Sequence, residues 1–330
     1  MLESLPKDMS GIAATPAGDH LFEVNNDNPT KLDEKTAQLF HHLVAKALFL
    51  CKRACPDLQT AVAFLSTRVK EPDTDDYKKL KRMMEHLRGT RELYLTLEAE
   101  DLHVIKWWID ASFAVHPDMK SHTGGCLSLG RGSVYGTSTR QKLNTKSSTE
   151  AELVGMNDVL SQVLWTRYFL EAQGYEVRDN VVFQDNQSMM LLANNGRGSS
   201  GKRTRHIEIR YFFVTDRINQ KQMRVAYCPT AEMIANYFTK PLQGALFRRL
   251  RDAIHNIPHK DGPASMENND ASTLQDHRSV FEDSGAHGPP TKLAARACVH
   301  RGPVEGQTWA QVVAGSSLQN STMSSSRVAS

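Results

Sequence analysis

Five cysteines in 330 residues are few, and Cys51, Cys55, Cys126, Cys228 and Cys298 form neither a CxxC pair nor a disulfide-like ladder. They are expected to be reduced thiols. No His and Cys stand at zinc-ligand spacing, which argues against a zinc finger or knuckle. No apolar run approaches the roughly 20 residues that cross a membrane. The first residues also lack the basic-then-apolar layout of a signal peptide. The chain is therefore expected to be soluble and intracellular, with no membrane partner. Charge of one sign is lacking too: 40 Lys and Arg face 37 Asp and Glu, for a net charge of +3. Any basic footprint for a polyanion has to be local.

What is present divides into four stretches. Residues 1–31 are rich in Pro, Gly, Asp and Asn, have no sustained period, and read as an irregular lead-in. Residues 32–98 turn helical. Leu39, Leu43, Ala47 and Leu50 recur at threes and fours, as do Leu58, Val62 and Leu65 after Pro56, and a third helix over 75–87 stops at Gly89. Amphipathic helices without a catalytic cluster suggest a supporting domain. Residues 99–257 change period. Strands are expected at 104–109, 124–129, 133–139, 181–184 and 223–227, with helices over 149–172, 186–195, 206–219, 230–238 and 243–254. That pattern describes an α/β layer with a mixed five-stranded sheet flanked by helices. Residues 258–330 hold Ser, Gly, Asn and Pro with few large apolar side chains, and are expected to be a disordered tail.

Three carboxylates resist explanation as ordinary surface charge. Asp110 follows the apolar run Ile105-Lys106-Trp107-Trp108-Ile109, and Asp185 follows Val181-Val182-Phe183-Gln184. The carboxyl ends of strands in α/β sheets are where ligands bind. Asp185 has a second reading as the N-cap of the helix that follows it. The helix over 149–172 carries two glutamates of different geometry. Ser147-Ser148-Thr149-Glu150 has capping-box spacing, so Glu150 reads as structural. Glu152 heads the stripe of Met156, Val159, Leu160 and Val163, which faces the core, and a carboxylate there needs a cation. Two like charges about 4 Å apart repel by about 4 kcal/mol at an effective dielectric near 20. Hard oxygen donors that relieve such repulsion suit Mg²⁺, or Mn²⁺ in its place, rather than zinc.

At these residues the sequence resembles the ribonuclease H region of copia-type LTR retrotransposon Pol polyproteins. The likeness lies in Ile109-Asp110-Ala111-Ser112, Lys146 to Leu153, Gln184-Asp185-Asn186-Gln187-Ser188 and Thr204 to Tyr211. It continues in Tyr227-Cys228-Pro229-Thr230 and Phe238-Thr239-Lys240-Pro241-Leu242. Arg53 to Gln59 and Leu87-Arg88-Gly89-Thr90 are similar to the connection segment that precedes the nuclease there. The resemblance implies a ribonuclease H-like fold and two-metal hydrolysis of the RNA strand of an RNA–DNA hybrid, leaving 3′-hydroxyl and 5′-phosphate ends. It implies work beside other parts of a polyprotein, in the cytoplasm, in virus-like particles or in the nucleus, with no small-molecule cofactor. Asp110, Glu152 and Asp185 fall on the first three acidic positions of such sites. The fourth, usually Asp, is Asn236 here, which brings no charge. Glu232 is expected one turn earlier on the same helical face, where it would compensate.

Between Asp185 and the next helix lies a Gly- and Ser-rich loop carrying Arg197, Lys202, Arg203, Arg205 and His206. A solvated loop is one reading; beside an acidic site that receives a polyanion, phosphate contact is the other. His206 either protonates a leaving oxygen or contacts phosphate at a helix start. Asp75-Asp76-Tyr77 is not read as a polymerase pair, because it opens a helix after Pro72. No polymerase palm is present. The competing functional class is a nucleic-acid-binding remnant that no longer cuts, or a tether for a separate polymerase chain.

Overall fold

A computed structural model describes residues 2–24, 29–195 and 208–257. These lie in one compact unit; the loop cations Arg197, Lys202, Arg203, Arg205 and His206, and the tail from 258, fall outside the described residues.

Three helices come first: α1 (Glu34–Cys51), α2 (Gln59–Ser66) and α3 (Thr74–Gly89). Asp33 caps α1, and Asp73 caps α3 through a reciprocal box in which Asp76 Oδ2 accepts from the Asp73 amide. The Asp75-Asp76 pair thus belongs to a helix start, with Arg68 Nε 2.9 Å from Asp76 Oδ2. The apolar stripes of the three helices meet in one core around Phe40, Phe64, Leu80 and Met83. The lead-in joins that core. It makes short 3-10 turns at Leu2–Ser4 and Lys7–Met9 and buries Met9, Leu21 and Phe22 there.

The sheet follows. Its strands are β1 (Val104–Ser112), β2 (His122–Ser128), β3 (Tyr135–Arg140), β4 (Asp179–Gln184) and β5 (Arg224–Tyr227). Their order is β3-β2-β1-β4-β5; β1, β2 and β3 pair antiparallel, while β4 and β5 run parallel to β1. This is the mixed five-stranded sheet of the ribonuclease H-like fold. β1 is central, which is why its run is apolar on both faces. Ile105, Trp107 and Ile109 face α4 (Ser148–Ala172), α5 (Gln187–Asn195) and α6 (Glu208–Asn219). Trp108 packs with Phe183, Phe238 and Phe247 on the opposite face, under α7 (Asn236–Thr239) and α8 (Gly244–His255).

The helix expected over 230–238 is broken. Thr230–Glu232 form a 3-10 turn, and Met233 is extended at φ −68° and ψ 96°, before α7 begins at Asn236. Burial explains the break, since Met233 and Phe238 both plug the core while Glu232 stays exposed. Glu232 is therefore not one turn below Asn236 on a common face.

The approach of α7 to the sheet is set by one residue. A Cβ on Gly124 would stand 2.6 Å from Thr239 Cγ2, 2.9 Å from Phe238 Cβ and 3.0 Å from Ala235 O. Gly124 also pairs in register with Asp110, so the same contact brings Thr239 beside that carboxylate. Gly124→Ala is expected to destabilise the protein by about 1–3 kcal/mol through overpacking. Thermal denaturation measures it; an unchanged midpoint would mean that α7 shifts freely.

Candidate metal centre

Asp110 lies inside β1, not past its end, because pairing with β2 extends the strand to Ser112. It is 2% exposed. Side chains alternate along a strand, so Asp110 shares the face of Trp108 and turns toward α7. There Thr239 Oγ1 donates to Asp110 Oδ2, and Lys240 Nζ lies 3.5 Å from the same oxygen.

Glu152 and Glu150 separate as their spacing predicts. The Lys146 amide donates to Glu150 Oε2 (2.7 Å), while Ser147 Oγ accepts from the Glu150 amide (3.2 Å). Glu150 therefore secures the start of α4. Glu152 is 5% exposed above Met156, Val159, Leu160 and Val163, all of them buried. Gln184 Nε2 donates to its Oε2 at 3.2 Å.

At Asp185 the structure decides between the two readings. The cap of α5 is Asn186, whose Oδ1 accepts from the Met189 amide at 3.0 Å. Asp185 is left to accept from Thr230 Oγ1 at 2.9 Å. Gln184, fully buried, accepts at Oε1 from the amides of Asp185 (2.8 Å) and Asn186 (3.2 Å). One amide side chain thus positions both Glu152 and the Asp185 backbone.

These placements bring ligand oxygens of Asp110, Glu152 and Asp185 within 4.8 Å of one another. Electrostatics show how unsatisfied the group is. Burial pushes Glu152 well above the usual carboxylate range, and the charges of Asp110 and Asp185 push it further. Burial also raises Asp110, although Lys240 and Thr239 oppose the rise. Two buried carboxyls, Asp110 and Glu152, that resist ionisation beside a third hard oxygen donor fit a divalent cation, which would offset both penalties. Because the folded value of Glu152 is raised, the stability it permits is full below about pH 4.3 and is lost as pH rises toward that folded value. Glu152→Gln is accordingly expected to raise the stability of metal-free protein at neutral pH by about 0.5–2 kcal/mol, as relieving a strained site commonly does. It should weaken divalent binding at the same time. A lower melting temperature in EDTA would contradict this.

Asn236 joins the neighbourhood but not as an open oxygen. It is buried, its Nδ2 donates to Thr230 O at 3.1 Å, and its Oδ1 accepts from Lys240 Nζ. The sequence reading missed Gln184, Thr230, Thr239 and Lys240 as parts of this centre. Thr239 and Lys240 had a signal, their place in the Thr-Lys-Pro-Leu stretch. Gln184 and Thr230 had the same kind of signal, their places in the Gln184 to Ser188 and Tyr227 to Thr230 stretches.

The strand order and the carboxylates at its centre define a ribonuclease H-like α/β protein. Comparisons with known proteins place it further. No protein-family model matches the chain. It is 26% identical over 245 residues to the retrovirus-related Pol polyprotein from transposon TNT 1-94 of Nicotiana tabacum, covering 73% of this chain and 18% of that protein. It is 29% identical over 201 residues to the Pol polyprotein from transposon RE1 of Arabidopsis thaliana, covering 60% of this chain and 14% of that one. The chain thus spans less than a fifth of these relatives' length. A stretch covering 73% of the chain necessarily includes its middle, and with it all three carboxylates. Among solved structures, a ribonuclease H1 isolated from compost overlays with a TM-score of 0.32 at 9% identity, covering 41% of this chain and 92% of that one. Ribonuclease H1 of Halobacterium salinarum gives 0.27 at 12%, covering 40% and 89%. Overlays at such scores carry no weight beside the strand order. The homologues of this chain are Pol polyproteins of copia-type transposons, and its fold is consistent with a ribonuclease H region of one.

Proposed function

We propose that this chain is a ribonuclease H that uses divalent metal, Mg²⁺ in the first place, to hydrolyse the RNA strand of RNA–DNA hybrids in retrotransposon reverse transcription. The observation that carries this reading is the convergence of Asp110, Glu152 and Asp185 on one point from two adjacent strands and a helix. When bound, such an ion activates water and stabilises the leaving oxygen of a phosphodiester. The chain's own residues hold the geometry. Asp110 and Asp185 supply anionic oxygens near the strand ends, and Glu152 adds a third from α4. Gln184 fixes Glu152 and the Asp185 backbone, while Thr239 and Lys240 fix Asp110. The loop cations Arg197, Lys202, Arg203 and Arg205 are assigned to hybrid phosphates, on their sequence position next to α5. His206 is assigned to the proton of the leaving oxygen. Other parts of a polyprotein are the proposed partners.

A second reading, a hybrid-binding remnant that does not cut, is favoured by one feature: Asn236 stands at the usual fourth acid, and its oxygen is already taken by Lys240. A hybrid with end-labelled RNA, incubated with Mg²⁺, with Mn²⁺ and with EDTA, separates the two. Metal-dependent loss of the RNA strand, with RNA duplex spared, supports the nuclease. Retention of the hybrid without cutting at any metal concentration supports the remnant.

A further inference from the structure

Lys240 sits where the acidic centre lacks a fourth carboxylate. Pro241 disfavours helical backbone in the residue before it, and Lys240 is extended at φ −129° and ψ 140° as the chain leaves α7. Its ammonium donates to Asn236 Oδ1 and lies 3.5 Å from Asp110 Oδ2. The Asn236 amide is held in that sense because its other end donates to Thr230 O at 3.1 Å. Asp110 Oδ2 accepts from Thr239, so this oxygen has a hydroxyl donor and a neighbouring ammonium before any metal arrives.

We propose that Lys240 takes the place of a second divalent ion, and that the centre of Asp110, Glu152 and Asp185 binds one ion rather than two. This rests on the metal-dependent reading above. Asp110 divides its two oxygens: Oδ2 serves Lys240 and Thr239, and Oδ1 is left for an ion shared with Glu152 and Asp185. The charges agree. Three carboxylates against one divalent ion and one ammonium are neutral, whereas a second divalent ion would leave the buried cluster with excess positive charge. Repulsion scales with the product of the charges, and with the Asp110 side chain 3% exposed and that of Lys240 41% exposed, water screens only part of it. The one uncharged oxygen near the vacant role, Asn236 Oδ1, is already an acceptor for the ammonium. It follows that Asn236→Asp alone would form an ion pair with Lys240 instead of a metal site.

The test counts ions on the full chain by Mn²⁺ titration read by electron paramagnetic resonance, with circular dichroism to confirm folding. Ions that Asp110→Asn still binds are subtracted as unrelated to the centre. Wild type and Lys240→Arg are expected to take one ion, and Lys240→Met combined with Asn236→Asp to take two. Lys240→Met alone should hold its single ion about tenfold tighter, since a like charge a few ångströms away is gone. A Lys240 that only props up α7 would leave ion number and affinity unchanged. Two ions in wild type, one in the double variant, or unaltered affinity in Lys240→Met would overturn the proposal while leaving the metal-dependent reading intact. No ion in any variant would overturn both.

Discussion

Asp110→Asn is expected to lower cleavage of the hybrid by about a thousandfold while hybrid binding survives. The estimate follows from what the residue loses. A bound ion supplies several kcal/mol of charge stabilisation to phosphoryl chemistry, and each 1.36 kcal/mol is a factor of ten in rate. An amide at this position keeps the shape and accepts from Thr239, but it removes the central negative charge that both Lys240 and a metal address. Binding should persist because affinity for nucleic acid comes chiefly from phosphate contacts by cations, and this substitution leaves the cations in place. Cleavage rate and anisotropy of a labelled hybrid, measured on the same preparation, separate the two effects. A variant that cuts as fast as wild type would remove Asp110 from the centre. One that loses binding and cutting together would give it a structural role instead.

Asp57→Ala is expected to destabilise the protein by about 3–5 kcal/mol, the cost of breaking a buried charged pair by removing one partner. Typical domains have only 5–15 kcal/mol in all, so this is a large fraction. Asp57 lies in the turn before α2 and is 4% exposed. His86 Nε2 of α3 donates to its Oδ2 at 2.8 Å, and His86 Nδ1 donates to Ala13 O of the lead-in at 3.1 Å. His255 at the end of α8 places Nε2 3.6 Å from Oδ1, too long for a hydrogen bond, so its help is electrostatic. The node thereby joins the lead-in, the helical core and the last helix of the α/β layer. Burial alone would raise the Asp57 carboxyl, but the two imidazoles outweigh it and hold the group well below the usual range. The sign follows: a lowered folded value contributes stability above the unfolded pKa of about 3.9 and withdraws it as pH falls toward the folded value. Urea denaturation at neutral pH should show the full loss in Asp57→Ala, and the gap between variant and wild type should narrow below about pH 4. A loss under about 1 kcal/mol, or a gap independent of pH, would mean that the node is not a joint.

The two sides of the molecule differ in how much of them could be read along the chain. Elements whose signal is periodic were legible. The apolar run from Ile105 to Ile109 gave a central strand, and the row below Glu152 separated it from Glu150. Glycine and proline punctuation located the helices of the first core. Elements whose form depends on a distant neighbour were not. The break at Met233 exists because Met233 and Phe238 enter the same core from a short segment. The lead-in has no period, yet Met9, Leu21 and Phe22 complete the helical core.

By itself the sequence determined the strand and helix faces and the three carboxylates, because each of these rests on spacing within one element, while the likeness to a ribonuclease H region rested on motifs spread along the chain. Only the tertiary structure decided that Asn186 and not Asp185 caps α5, that Gln184 holds Glu152 and the Asp185 backbone, and that Lys240 reaches both Asn236 and Asp110. Thr239 and Asp110 stand 129 residues apart in the chain. No local period records such a meeting, which is set by the close packing of α7 on Gly124.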